Sequence, residues 1–285
     1  MGEPPERFSF DHQAGAFERR TGVPQEAARR TARDLVEALL PSPTDLLLDM
    51  GAGSGELGCF LAVSAPNYVG VDLSLPMLRA FQGKHSHTPF PLVQADADCP
   101  WPLRDGSVRA VLFSRSAHLM DLPHLLRELR RVAHPDGAWV VTGRVERDPM
   151  SMRSRLREQM LTLLAERLPD SRGVARRGAG PSAGRGRRRA QELEAALVET
   201  GAEVESPRVG GRWFVEDSLA GVLEDWRSKS GLAGRDVDAA VKHEVLSALE
   251  AWGEARFGTL AGDAETCERR FEWTPIRLPL PLSPY

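Results

Sequence analysis

The chain has 285 residues, of which 41% are hydrophobic and 27% are charged, and its formal net charge is −3 at pH 7. This composition excludes collagen-like, mucin-like and wholly disordered proteins, and the length predicts one large domain or one domain with an appendage. The near-balanced charge argues against a protein whose whole surface binds nucleic acid or membrane, although it can conceal a local basic patch. The chain has three lysines and 34 arginines, a bias that GC-rich codon usage explains.

The cysteines and the apolar segments bear on the compartment. Cys59, Cys99 and Cys267 are too widely spaced to predict a disulfide framework or a zinc site. No apolar run approaches the ~18 residues of a membrane span, and the first residues lack the pattern of a secretory signal. The sequence therefore predicts a cytoplasmic protein with no metal centre and no membrane segment.

Short apolar segments alternate with helical patterns between residues 45 and 145. Strands are predicted at 46–50, 68–72, 91–96, 108–114 and 138–145, and helices at 55–65, 75–83 and 122–132. Strands of continuous apolar character that alternate with helices indicate a parallel sheet covered by helices on both faces.

The pattern changes after residue 150. Residues 171–189 contain seven arginines and five glycines, so they are predicted to form a flexible loop. Helices are predicted at 151–168, 190–200, 216–229 and 236–257, and strands at 202–209 and 269–280, the last one broken by Pro275.

The most informative segment follows the first predicted strand, which ends in Asp49. The turn after it contains Gly51, Gly53 and Gly55, and glycines there let a ligand approach the backbone near a helix N-terminus. Together with Gly58, two of them also satisfy the G-x-G-x-x-G pattern of dinucleotide-binding proteins. Asp49 argues against that reading, because its carboxylate would repel a pyrophosphate and suit a cationic ligand.

Four segments occur in an order and spacing typical of one enzyme family. They are residues 47–55, 69–78, 94–97 and 131–137. Together they resemble the class I S-adenosylmethionine-dependent methyltransferases, and more narrowly the small-molecule branch typified by quinone-biosynthesis methyltransferases. The resemblance covers about residues 45–145. Two positions depart from the family pattern, because Arg109 replaces an acid before the fourth strand and Cys99 replaces a leucine.

The resemblance implies a fold and a domain organisation. The fold is a Rossmann-like methyltransferase fold, a doubly wound, seven-stranded, mostly parallel sheet with helical insertions after the fifth and sixth strands. Residues 1–40 would form a helical segment that closes over the cofactor, residues 41–150 the cofactor-binding core, and residues 151–285 the rest of the sheet and a helical lid. Phe10 and Phe17 share one face of the predicted N-terminal helix, where they cover the cofactor or pack in the core.

The resemblance also implies S-adenosylmethionine as the cofactor and assigns its contacts. Asp49 would lie near the ammonium group, and Asp72 would accept hydrogen bonds from both ribose hydroxyls. Asp96 would accept a hydrogen bond from the adenine amino group. Taken singly, each acid could instead be a loop carboxylate that caps a helix. The predicted cofactor contacts are Asp49, Gly51, Ala52, Gly53, Gly55, Asp72, Leu73, Met77, Asp96, Ala97 and Ser114.

The acceptor side is predicted at the carboxyl end of the fourth strand. His118 is the candidate general base, because the unperturbed pKa of histidine is near 6.5; its alternative role is a packing histidine in the crevice wall. Four aromatic residues in the insertions are expected to pack in a core rather than line the acceptor pocket. They are Trp213, Phe214, Trp226 and Trp252.

The sequence therefore predicts an S-adenosylmethionine-dependent methyltransferase that acts on a small molecule by direct methyl transfer. The alternatives are an RNA methyltransferase that uses the arginine-rich loop, an NAD(P)-dependent oxidoreductase, and a binding module that retains the cofactor as a structural ligand. The loop lacks aromatic residues that stack bases, so nucleic acid is not the expected partner. The sequence does not predict the acceptor atom or the oligomeric state.

Overall fold

The computed structural model describes residues 22–84, 90–168, 183–229, 231–233, 235–259 and 262–279, and residues 183–187 by their backbone alone. Phe10, Phe17 and residues 171–182 of the predicted arginine loop lie outside the described residues. The chain divides into two compact units. We call the part with residues 22–145, 184–212 and 270–279 the sheet unit, and the part with residues 146–168 and 213–269 the helical unit.

The described residues form an eight-stranded sheet and eight α-helices. The strands are β1 (Leu46–Met50), β2 (Asn67–Asp72), β3 (Leu92–Gln94), β4 (Ala110–Ser114), β5 (Trp139–Arg147), β6 (Glu203–Val204), β7 (Arg208–Asp217) and β8 (Glu265–Arg277). The helices are α1 (Gln25–Leu39), α2 (Gly58–Ser64), α3 (Leu75–Gly83), α4 (Leu122–Val132), α5 (Met152–Arg167), α6 (Ala183–Val198), α7 (Leu219–Arg227) and α8 (Ala239–Phe257).

The strand order indicates at which edge of the sheet a ligand is expected to bind. Neighbouring strands follow the order β3-β2-β1-β4-β5-β8-β6, and β7 pairs with β8. Strands β3, β2, β1, β4 and β5 run parallel, whereas β6 is antiparallel to β8. Because the order reverses between β1 and β4, a ligand is expected beyond their carboxyl ends. The predicted α/β class and mostly parallel, doubly wound sheet are confirmed, but β6 and β7 replace one predicted strand and raise the strand number from seven to eight.

Helices cover the apolar strands of the sheet unit. Helix α4 begins at Asp121, whose side chain accepts a hydrogen bond from the amide of His124 at 2.9 Å. This is a favourable N-cap. The helix buries Leu125 and Leu129 against the core; the two residues are four positions apart and therefore share one helix face.

The helical unit has its own core between α5, α7 and α8. Each helix begins at a polar cap, namely Ser151, Ser218 and Asp238. Trp226 packs in this core as predicted, but the expected packing of Phe214 is wrong because its side chain is 68% exposed. Among the described residues, no helix combines the length and the apolar character needed to cross a membrane.

Helix α6 begins earlier than the sequence predicts. The predicted loop extends to residue 189, but the chain is helical from Ala183. Arg188 and Arg189 both donate to Glu192, at 3.1 and 2.7 Å. Such pairs, three and four residues apart, stabilise a helix, so residues 183–189 are helical despite their loop-like composition.

Strand β7 extends well beyond the predicted strand at 202–209, and β8 is continuous where a break at Pro275 is predicted. A Cβ atom at Gly210 would lie 2.4 Å from Oγ1 of Thr31, and one at Gly211 would lie 2.5 Å from Cβ of Ala27. The two glycines, which argue against a strand in the sequence, let β7 approach helix α1 closely. Strand β8 is not broken at Pro275, whose carbonyl accepts a hydrogen bond from the amide of Glu205 at 2.9 Å.

Candidate active site

The glycine turn lies at the carboxyl end of β1, next to the reversal in strand order. Gly51 has φ +77°, and a Cβ atom there would lie 2.4 Å from Cβ of Ser116. Gly53 has φ +56°, and a Cβ atom there would have no neighbour within 4 Å among the described residues. Glycine is required at Gly51 by close packing, whereas Gly53 presents bare backbone to open space, as a ligand cradle needs.

Asp72, the last residue of β2, holds this turn in place. Its carboxylate oxygens accept hydrogen bonds from the amides of Gly53 and Ser74, each at 2.8 Å. The amides of Gly51 and Ala52 donate to the carbonyl of Val71 at 2.8 and 3.0 Å. The predicted ribose acid therefore lies directly beside the glycine turn and shapes it.

Asp49 is the least ordinary residue of the site. It is 1% exposed, its Oδ2 accepts a hydrogen bond from the hydroxyl of Tyr68 at 2.8 Å, and its Oδ1 has no hydrogen-bond partner among the described residues. Burial raises the pKa of Asp49 to about 7; the hydrogen bond from Tyr68 opposes this shift and the charge of Asp72 adds to it. A buried carboxylate oxygen without a donor is costly, so this atom calls for a donor from a ligand.

The predicted adenine turn follows β3. Oδ1 of Asp96 accepts a hydrogen bond from the amide of Asp98 at 2.9 Å, and the carbonyl of Ala97 accepts one from the indole of Trp101 at 3.0 Å. Trp101 is buried, and its amide donates to Glu128 at 2.7 Å. Trp101, which is not among the predicted site residues, thus links the turn to helix α4.

The two predicted adenine-packing residues differ in accessibility. The side chain of Leu73 is 40% exposed beside the sheet edge, whereas Met77 is buried, with 3% exposure. Leu73 is therefore available to a ligand as the structure stands.

Comparison with known proteins agrees with this geometry. Residues 48–141 match the sequence model of the methyltransferase domain. Residues 48–141 are thus similar in sequence to methyltransferase domains, and we refer to them below as the methyltransferase domain.

The methyltransferase domain has relatives and structural neighbours. The chain is 34% identical over 131 residues to an uncharacterized methyltransferase of Mycobacterium tuberculosis, covering 46% of this chain and 49% of that protein. It is 38% identical over 110 residues to a demethylmenaquinone methyltransferase of Corynebacterium urealyticum, covering 38% of this chain and 44% of that protein. The chain thus spans about half the length of these relatives. A candidate type II methyltransferase of Anaeromyxobacter dehalogenans shares the fold, with a TM-score of 0.52, 16% identity and coverage of 92% of this chain and 98% of that one.

Gly58 has a packing role in the methyltransferase domain. A Cβ atom there would lie 2.5 Å from the hydroxyl oxygen of Tyr68 and 2.7 Å from the ring of Phe81. The third glycine of the apparent dinucleotide pattern therefore allows the helix to pack on β2, and the pattern gives no support to a nicotinamide cofactor.

The structure gives a reason for Arg109, which departs from the family pattern. Its Nε donates to Asp45 at 3.1 Å and its Nη1 donates to the carbonyl of Gly137. Arg109 thus connects the segments that precede β1 and β5, at the end of the sheet away from the glycine turn.

Ser114, a predicted cofactor contact, is the last residue of β4. Arg115 follows with φ +63°, an uncommon conformation for a non-glycine residue, and pairs with Glu56. Glu56 also accepts a hydrogen bond from the amide of Val23 at 2.6 Å. His118 is half-buried in the short 3₁₀ helix Ala117–Leu119. Glu56 is not among the predicted site residues, although its place directly after the glycine turn is a usable signal.

Proposed function

We propose that the chain is an S-adenosylmethionine-dependent methyltransferase that transfers a methyl group directly to a small-molecule acceptor. The observation that carries this proposal is the group of acids around the bare backbone of Gly53. Asp49 offers a buried oxygen that has no donor within the described part of the chain, and Asp72 lies beside the same turn. Cationic and hydroxyl donors on one ligand suit this arrangement.

The residues present fit the proposed cofactor. Asp49 would receive its ammonium group, which supplies both the missing donor and a compensating positive charge. Asp72 would accept hydrogen bonds from the ribose hydroxyls, since each carboxylate oxygen can accept more than one hydrogen bond. Asp96 and the amide of Ala97 would bind the adenine, with Leu73 against the ring and the Ser114 side chain at the end of β4.

The sulfonium of S-adenosylmethionine supplies a methyl group that is already activated for transfer. The chain's own contribution is then chiefly to align the acceptor with it and to exclude water. His118, in the turn after β4, is proposed to take the proton of a hydroxyl or amine acceptor. The relatives named as demethylmenaquinone methyltransferases support a small-molecule acceptor.

Calorimetric titration with S-adenosylmethionine and S-adenosylhomocysteine tests the cofactor. Wild-type protein should bind both. Asp72→Asn should weaken binding by about 10- to 100-fold for each lost hydrogen bond, because hydrogen bonds to charged groups contribute ~1.5–3 kcal/mol. Asp136→Asn is the matched control, since Asp136 is 82% exposed. Equal affinities for the two variants would contradict the assigned role of Asp72.

A radiolabelled methyl-transfer assay tests the acceptor class. We expect label to appear in a small-molecule acceptor, for which the demethylmenaquinone in the relatives' names is the first candidate, and not in RNA. Transfer to RNA in the same assay would contradict the small-molecule proposal. Binding of the cofactor without turnover on any acceptor of either class would favour a binding module instead.

A further inference from the structure

The helical unit contains a compact group of charged side chains. Asp217, at the end of β7, accepts hydrogen bonds from Arg153 at 2.8 Å and from Arg269 at 3.2 Å. Asp225 in α7 accepts a second one from Arg153, also at 2.8 Å. The whole group, which we call the arginine cluster, comprises Arg147, Arg153, Arg157, Arg269, Asp217 and Asp225.

The alignment of β5 with β8 follows from two contacts. The amide of Leu278 donates to the carbonyl of Ala138 at 2.9 Å, and Arg144 pairs with Glu272 at 3.2 Å. Residue numbers rise along β5 while they fall along β8. The two strands are therefore antiparallel.

This alignment brings two guanidinium groups together. Continued by three residues beyond the Arg144–Glu272 pair, the same register places Arg147 opposite Arg269, and the charge of Arg269 acts on Arg147. Like charges directly opposite each other in a strand pair are destabilising. Arg157 adds a further positive charge, because it follows Arg153 by one turn of helix α5.

The positive charge of the arginine cluster is only partly compensated. Its four guanidinium groups face two carboxylates, of which Asp225 also pairs with the ammonium group of Lys229 at 2.8 Å. Among the described residues, Arg147 and Arg157 have no carboxylate within ion-pair distance. Although a large part of the Arg147 side chain is exposed, desolvation by the neighbouring protein lowers its pKa, and the charges of Arg269 and Arg153 act in the same direction. Burial also lowers the pKa of Arg157. For Arg153, hydrogen bonds to Asp225 and Asp217 outweigh burial and raise the pKa.

We propose that the arginine cluster is a binding site for an oxyanion, a carboxylate or phosphate group of a small molecule, held by Arg147 and Arg157. Guanidinium groups form paired hydrogen bonds with both kinds of anion. Asp217 and Asp225 hold Arg153 and Arg269 in place, which leaves the other two arginines available. Arg147 is exposed and Arg157 is half-buried, so an anion can reach them. This site is additional to the proposed methyl-donor site and independent of it.

The site is tested by calorimetric titration of the full chain with inorganic phosphate and, separately, with succinate. Chloride keeps the ionic strength the same in both titrations. A dissociation constant on the order of 1 mM is expected for the preferred anion. Tighter binding of phosphate or of succinate shows whether the site prefers a phosphate or a carboxylate group. The double variant Arg147→Gln/Arg157→Gln should bind at least tenfold more weakly. Arg256→Gln is the control, because Arg256 is exposed at the end of α8 in the same unit, and its affinity should equal that of wild type.

Thermal unfolding gives a second readout that a purely structural role would not produce. Without added anion and at low salt, Arg147→Gln should melt at a higher temperature than wild type, because it removes repulsion from Arg269. Anion should then stabilise wild type more than this variant. The proposal is wrong if neither anion binds, if the double variant binds as tightly as wild type, or if Arg147→Gln melts at a lower temperature.

Discussion

Replacing the buried carboxylate of Asp49 with an amide should change stability and cofactor affinity in opposite directions. Asp49 is 1% exposed, and burial raises its pKa from 3.8 to about 7. In the unfolded chain the group ionises near pH 4, whereas in the ligand-free folded protein it ionises near pH 7. Between these values the folded state binds more protons, so wild-type stability should fall as the pH rises through this window.

The size of this effect follows from the shift. Each pKa unit corresponds to about 1.4 kcal/mol. Between pH 5 and pH 7, the free energy of unfolding of wild type should therefore fall by roughly 2 kcal/mol relative to Asp49→Asn, which has no carboxyl group to ionise there. Cofactor affinity should follow the ionised fraction and increase about eightfold between pH 6 and pH 7.5 in wild type. The ligand's α-amino group stays largely protonated over this range.

Urea unfolding at pH 5, 6, 7 and 8 measures the first effect, and calorimetry with S-adenosylmethionine measures the second. Asp49→Asn should be relatively more stable at pH 7 than at pH 5, and it should bind the cofactor far more weakly at every pH. Asp136→Asn, on the exposed turn before β5, should follow wild type in both measurements. Parallel stability curves for wild type and Asp49→Asn would refute the assigned buried ionisation, and tight cofactor binding by Asp49→Asn would refute its role.

Three further tests separate packing from ligand binding. Gly53→Ala should cost about 1 kcal/mol of stability because of its left-handed backbone conformation, and it should markedly weaken cofactor binding. Gly55→Ala should cost more stability, because its Cβ atom would lie 2.1 Å from the buried ring of Phe81. Thermal unfolding and calorimetry compare the two variants, and the reverse order of stability would contradict this packing. Tyr68→Phe should raise the pKa of Asp49 further and move the pH midpoint of cofactor affinity upward, so an unmoved midpoint would argue against this hydrogen bond. His118→Gln should lower kcat by about 100-fold or more with unchanged cofactor affinity if His118 is a base, and an unchanged kcat would exclude that role.

The edge of the sheet proposed to bind the cofactor can be predicted from the sequence because its residues lie directly at strand ends. Asp72 is the last residue of β2, and the glycine turn follows β1 directly. Parallel strands place such residues on one edge of the sheet without any knowledge of side-chain packing. The pairing of Asp49 with Tyr68, 19 residues away, could not be predicted in this way, since it depends on which face of β2 the ring occupies.

Strand β7 could not be predicted because its sequence pattern reflects a neighbour far away in the chain. Gly210 and Gly211 read as a loop signal. In the structure they are glycines because Thr31 and Ala27 of helix α1 leave no room for a Cβ atom. A close approach between segments about 180 residues apart produces the same local pattern as a turn, so the sequence alone does not distinguish the two.

The arginines show that the electrostatic environment of a residue is equally hard to predict from sequence. Composition counts all arginines alike, whereas the structure distinguishes arginines with an ion-pair partner from those without one among the described residues. Arg109 pairs with Asp45, 64 residues away, so its charge is compensated within the fold. Arg147 and Arg157 have no such partner among the described residues. Codon usage accounts for the number of arginines in this chain. It does not account for the placement of Arg147 and Arg157 beside other guanidinium groups without an ion-pair partner among the described residues, and this placement is the physical reason to look for an anion there.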